Sequence, residues 1–219
     1  MFSRRVLVNL TRCTSLDNPR NYYMANWKRG YFKPAIKRIP KRNSVQDLAR
    51  LDRFEQMMEI DNYGVTLREK SECVKCFYPL KCDDIKLPSG IAYKFSQLEV
   101  LGKGFLQFCL VESFLHVFKR SSTDIEQHDF NFDVKMRHLG ASRRIPRKLL
   151  QRYVKGNFSR LARLSQPQAS IPLRIHRVYD RKCFNALFGY LTLTNESQTV
   201  WNLVKGKISR SILKNTFNI

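Results

Sequence analysis

The sequence predicts an all-α domain preceded by a basic, extended N-terminal arm. Three observations lead there. Apolar residues recur at three- and four-residue spacing in several segments, and no run shows the strict alternation of a half-buried strand. The first 43 residues carry too much proline and positive charge to build a core of their own. The 219 residues, 43% of them hydrophobic, are enough for one domain with extensions, despite a net charge of +22.

That charge calls for an acidic partner. Nucleic acid comes first, because each cation placed near a phosphate releases a condensed counterion; an anionic membrane surface comes second. No apolar run approaches the roughly 18 residues needed to span a bilayer. The longest apolar-rich segment, Phe105 to Phe118, carries Gln107, Glu112 and His116, so a soluble protein with no membrane span is expected.

Residues 1–43 hold eleven Lys and Arg against Asp17, broken by Pro19, Pro34 and Pro40 and interleaved with Tyr22, Tyr23, Trp27, Tyr31 and Phe32. Cations alternating with aromatic rings can neutralise phosphates and stack on bases. Arg4, Arg5, Lys28, Arg29, Lys37, Arg38, Lys41 and Arg42 are the phosphate contacts expected here. The opening "MFSRRVLVNLTRCTS" has three arginines, no acid, and Phe2, Val6, Leu7 and Leu10 on one helical face, the pattern of a mitochondrial targeting segment. A plain RNA-binding arm is the alternative, and the two are compatible.

Residues 44–133 are nearly neutral, with fifteen acids and eleven bases. Ser44 and Asp47 suit a helix N-terminus, and Val45, Leu48, Leu51, Phe54 and Met58 form a stripe, which predicts a leading helix to about Ile60 within residues 44–64. "CVKCFYPLKC" places Cys73, Cys76 and Cys82 close together. A Cys-x-x-Cys pair is half a zinc site, but no fourth ligand stands at a standard spacing, so three reduced cysteines in a loop are the competing reading. The chain has too few cysteines for a disulfide scaffold, and a reducing compartment is expected. "QLEVLGKGFLQFCLVESFL", residues 97–115, predicts a buried helix in which Lys103 stands between Gly102 and Gly104.

Residues 134–219 return to strong positive charge, eighteen Lys and Arg against Asp180 and Glu196. "RKLLQRYVKGNFSRLARL" puts Leu150, Tyr153, Val154, Phe158, Leu161 and Leu164 on one side and cations on the other. Phosphate contacts are expected from Arg143, Arg144, Arg147, Lys148, Arg152, Lys155, Arg160 and Arg163. Helices are predicted over 182–193 and from Ser197 to about Leu213, the last with Val200, Leu203, Val204, Ile208 and Ile212 inward. The four histidines form no nucleophilic constellation.

"LEVLGKGFL", Leu98 to Leu106, resembles the ribonuclease III motif, a Leu-Glu-Phe-Leu-Gly-Asp core leading into a long apolar helix. Leu98, Glu99, Leu101, Gly102 and Leu106 match, with Val100 and Phe105 as apolar replacements. "GNFSRLARL" and "KCFNALFGYLTL" are similar to two later segments of that family in the same order, and "ESQTVWNLVKGKI" to its terminal helix. The resemblance covers about residues 65–214 and implies a ribonuclease III-like helical domain over 65–219.

Active members bind magnesium through four carboxylates. Carried across, one of the four survives as Glu99, while Lys103, Lys182 and Asn185 stand in place of the other three, and Ser96 replaces the Glu that precedes them in the motif. An ammonium about 4 Å from a divalent ion costs roughly 8 kcal/mol at an effective dielectric of 20, so no metal, cofactor or catalysis is expected. Lys103 could instead pair with Glu99 at i,i+4 or face RNA. The resemblance extends to the ribonuclease III-like proteins of the mitochondrial large ribosomal subunit. It implies a structural role on ribosomal RNA beside other ribosomal proteins, and pairing with another ribonuclease III-like chain through Phe105, Phe108, Leu110 and Phe114, as interface or core. The alternatives are an inactive subunit of a mitochondrial RNA-processing or RNA-editing complex, and an endonuclease using other acids.

Overall fold

The helical period dominates the architecture, as the sequence predicts. This computed structural model describes residues 42, 44–81, 83–118, 144–164 and 171–217. The arm and targeting readings, and with them Arg4, Arg5, Lys28, Arg29, Lys37, Arg38, Lys41, Arg143 and Cys82, lie outside the described residues. In order come α1 (Ser44–Met58), a 3-10 turn (Ile60–Tyr63), α2 (Lys70–Cys73) running into a second 3-10 turn (Val74–Phe77), then β1 (Ile85–Lys86) and β2 (Ala92–Tyr93). The long helix α3 (Phe95–Phe118) follows, then α4 (Arg144–Asn157), α5 (Leu173–Thr194), α6 (Ser197–Leu203), a π-helical turn (Val204–Ser209) and α7 (Arg210–Phe217). The strands pair antiparallel as a two-stranded ribbon, Ile85 opposite Tyr93, and are the one departure from an all-α fold among the described residues.

The leading helix is inward over only part of its predicted stripe. Leu51, Phe54 and Met58 are buried, whereas Val45 and Leu48 are 75% and 37% exposed. Asp47, read from the sequence as part of an N-cap, takes the inward place instead, because Tyr78 and Arg163 supply it with polar partners inside the protein. Further along, Phe54 meets Phe158 at 5.5 Å and Phe184 at 6.1 Å, and Phe184 meets Phe158 at 5.0 Å and Phe188 at 4.9 Å between ring centroids. Tilted and edge-on aromatic pairs add about 0.5–1.5 kcal/mol each beyond the area they bury. These rings join α1, the segment after α4, and α5 in one core.

Helix limits follow local chemistry. Gln97 reaches back to accept the Lys94 N–H at 2.8 Å, half of a capping box that starts α3. The basic amphipathic segment stops being helical at Asn157, yet Phe158, Leu161 and Leu164 stay buried in the turn that follows. Helix α5 begins nine residues before the predicted 182 and ends where the Asn195 side chain accepts the Thr66 N–H and donates to the Thr66 carbonyl. The terminal helix is interrupted by its π turn, but Val200, Leu203, Val204, Ile208 and Ile212 are all buried, as predicted.

Helices α3 and α5 cross at two glycines. A Cβ on Gly102 would stand 1.9 Å from the Asn185 carbonyl oxygen, and one on Gly189 would stand 2.1 Å from the Leu98 carbonyl oxygen. Backbone therefore lies on backbone. Leu98, Leu106 and Leu110 of α3 and Cys183, Leu187 and Leu191 of α5 are buried with them.

Candidate nucleic-acid interface

Two surfaces carry the chemistry: the margin of the α3–α5 crossing, and the cationic side of α4 and α5. At the first, Lys182 Nζ lies 3.4 Å from Glu99 Oε2, with the two side chains 35% and 21% exposed. The Lys182 ammonium also lies 5.7 Å from the centre of the Tyr179 ring, whose hydroxyl burial pushes up to about 12. The partner of Glu99 is thus on the other helix rather than Lys103, one turn along on the same one. Lys103 points outward and is exposed. Asn185 is buried, and its side-chain oxygen has no hydrogen bond among the described residues.

This margin is a poor donor set for a divalent cation. Its carboxylate is already paired with an ammonium, and the position beside it offers a neutral amide. Asp180 gives no substitute, since it faces away: Oδ2 accepts the Arg160 N–H at 3.0 Å and Oδ1 the Ala162 N–H at 2.8 Å. Burial pushes the Asp180 carboxyl above its ordinary range, and these two N–H bonds oppose that shift. The carboxylate fixes the turn after α4.

Of the three cysteines singled out as zinc candidates, Cys73 and Cys76 are among the described residues. Cys73 and Cys76 are buried; the Cys73 thiol donates to the Arg68 carbonyl, and burial pushes it up to about 12, while burial also raises Cys76. No group of three metal-ligating side chains occurs among the described residues, and no helix among them is long and apolar enough to cross a membrane.

On α4, Arg147, Lys148, Arg152 and Lys155 are exposed on one side while Leu149, Leu150 and Val154 are buried on the other. Arg144 opens the same helix. Arg181 of α5 donates to Gln151 of α4 at 3.3 Å, and Arg174 and Arg177 stand on the exposed side of α5. The spacing 174, 177 and 181 is a helical row that prolongs the α4 cations. It was legible as i, i+3, i+7, but the predicted helix started too late to include it. Asp180, on the same helix, is buried under the turn and not on this face.

Three expected phosphate contacts sit differently. Arg163 is 5% exposed and lies 3.4 Å from Asp47 Oδ1, so it is a buried ion pair and not a surface cation. Its backbone N–H donates to the Phe77 carbonyl, and its guanidinium to Gln46. Arg42 pairs with Asp83. Arg160 is exposed in a left-handed turn at φ 61, and its carbonyl accepts the Arg50 guanidinium.

The residues expected at an interface or in the core divide. Leu110 and Phe114 are core, and Phe105 packs half-buried against it. Phe108 is 59% exposed and meets the Trp201 ring edge-on at 5.2 Å. Val100 and Leu101, 69% and 39% exposed, continue the same outer side of α3. No protein-family model matches this chain, and comparison with curated proteins and with solved structures found no match either.

Proposed function

We propose that the protein is a structural, RNA-binding component of the mitochondrial large ribosomal subunit, built on a ribonuclease III-like fold that has lost its metal site. The observation that carries this reading is the Glu99–Lys182 pair beside Gly102 and Gly189. The two segments that resemble the family's metal-bearing helices cross there, with an ammonium where a second carboxylate would be needed. Support also comes from the cations of α4 and α5, which suit phosphate contacts that position an RNA without reading its sequence. The outer side of α3, with Val100, Leu101 and Phe108, suits pairing with a second chain of the same fold.

Sedimentation of a mitochondrial extract at moderate salt tests the assignment. Co-migration with the large ribosomal subunit is the expected outcome. Migration in a smaller complex with nuclease activity overturns it in favour of an inactive subunit of an RNA-processing or RNA-editing assembly. Magnesium-dependent cleavage of structured RNA by the purified chain would overturn both.

A further inference from the structure

A groove of about 380 Å³ lies between α1 and the turn after α4, away from the α3–α5 crossing. Its walls include the side chains of Arg50 and Arg53 on α1 and Arg160 on the turn, over apolar atoms of Met57, Phe54 and Phe158. That volume is within the range of small-ligand sites, and three guanidiniums around an apolar floor suit an anion that carries a flat apolar part.

We infer that this groove takes one unpaired nucleotide of the bound RNA, its base on the Met57 side of the floor and its phosphate against Arg53 and Arg160. The inference rests on the RNA-binding reading above. Neither Arg53 nor Arg160 has a carboxylate partner among the described residues, and both are exposed. Arg50 is held inward by the Arg160 carbonyl. Burial, and then the neighbouring Arg163, depress its pKa, while Asp47, Tyr78 and Asp180 act the other way. An inorganic phosphate would leave the floor bare. A paired nucleotide would keep its base stacked inside the duplex, so only a splayed nucleotide uses both parts of the site. Asp180, through the Arg160 and Ala162 N–H groups, holds the turn that forms one wall.

The test compares the full-length chain on two RNA hairpins, one with a single bulged 4-thiouridine and one fully paired. The bulged RNA is expected to bind about tenfold more tightly and to cross-link to residues 49–57 or 157–161. Arg53→Gln with Arg160→Gln, both at exposed positions, is expected to remove that tenfold difference while leaving the paired hairpin unchanged. Arg147→Gln with Arg152→Gln is expected to weaken both hairpins equally. Equal binding of the two hairpins by the unaltered chain, or cross-links elsewhere, overturns the groove assignment alone. Failure to bind either RNA overturns the RNA-binding reading beneath it. Competition by uridine monophosphate as tight as by the bulged RNA overturns it in favour of a free nucleotide, and equal competition by a phosphoserine peptide in favour of a protein ligand.

Discussion

The α3–α5 crossing and the α4 helix put charge to opposite uses. At the crossing, one cation is drawn into an ion pair and two backbones meet with no side chain between them. On α4, four exposed cations share one side of a helix that packs by the other. The first region has little left to offer a ligand, and the second has much. The contrast teaches that the shape of a helix crossing and the chemistry at its edge are separable, since the glycines fix the approach whatever stands at 99 and 182.

Replacing a crossing glycine probes the shape directly. Gly102→Val drives side-chain atoms into the Asn185 carbonyl, and chemical denaturation is expected to show a loss of about 4 kcal/mol or more. Gly104, two residues on, meets nothing within 4 Å, so Gly104→Ala is expected to stabilise by about 0.5–1 kcal/mol. Similar losses at both glycines would break the distinction drawn here.

Next in size is the buried pair that neither region uses. Arg163→Ala leaves the Asp47 carboxylate inside without its cation, and a loss of about 3 kcal/mol is expected in the same measurement. A change below about 0.5 kcal/mol would show that Arg163 belongs with the surface cations after all.

The cationic side is tested by RNA binding. Arg147→Gln, Arg152→Gln and Lys155→Gln together are expected to make the dependence of log K on log salt shallower by about 2 to 3, with stability changed by no more than about 0.5 kcal/mol. An unchanged salt slope would remove α4 from the interface. The smallest effect is expected at the crossing margin. A double-mutant cycle of Lys182→Met and Glu99→Gln should give a coupling below about 1 kcal/mol, because the pair is partly in solvent. A larger coupling would mean that charge, and not glycine, holds the helices in register.

Helical period made most of the fold legible, since burial follows it closely in α4, in the first turns of α5 and in α6 to α7, whereas α5 is buried all round from Cys183 to Leu191. It failed where polar groups are buried together. Asp47 and Arg163 each look like surface residues in their own windows, and only the fold brings them within 3.4 Å. A Lys103–Glu99 pair was one of the two local possibilities for Lys103, whereas Lys182 reaches Glu99 from another helix. On α3 the apolar residues run all round the helix, a pattern that signals burial without saying which side stays open. Phe108 and Val100 therefore could not be told from Leu110 by spacing. The groove was invisible for a related reason: Arg50 and Arg53 sit in a nearly neutral stretch, and their partner in the groove, Arg160, comes from the basic one.

The glycine contact has a consequence for how this chain can vary. Residues 99, 103 and 182 stand beside a joint whose fit is set by main-chain atoms, so exchanges among acid, cation and amide there leave the joint itself intact. Positions 102 and 189 have no such latitude. The chain is free to drift in the charge at the rim and constrained in how the joint closes, and a survey of variants should find polar turnover at the rim around two fixed points.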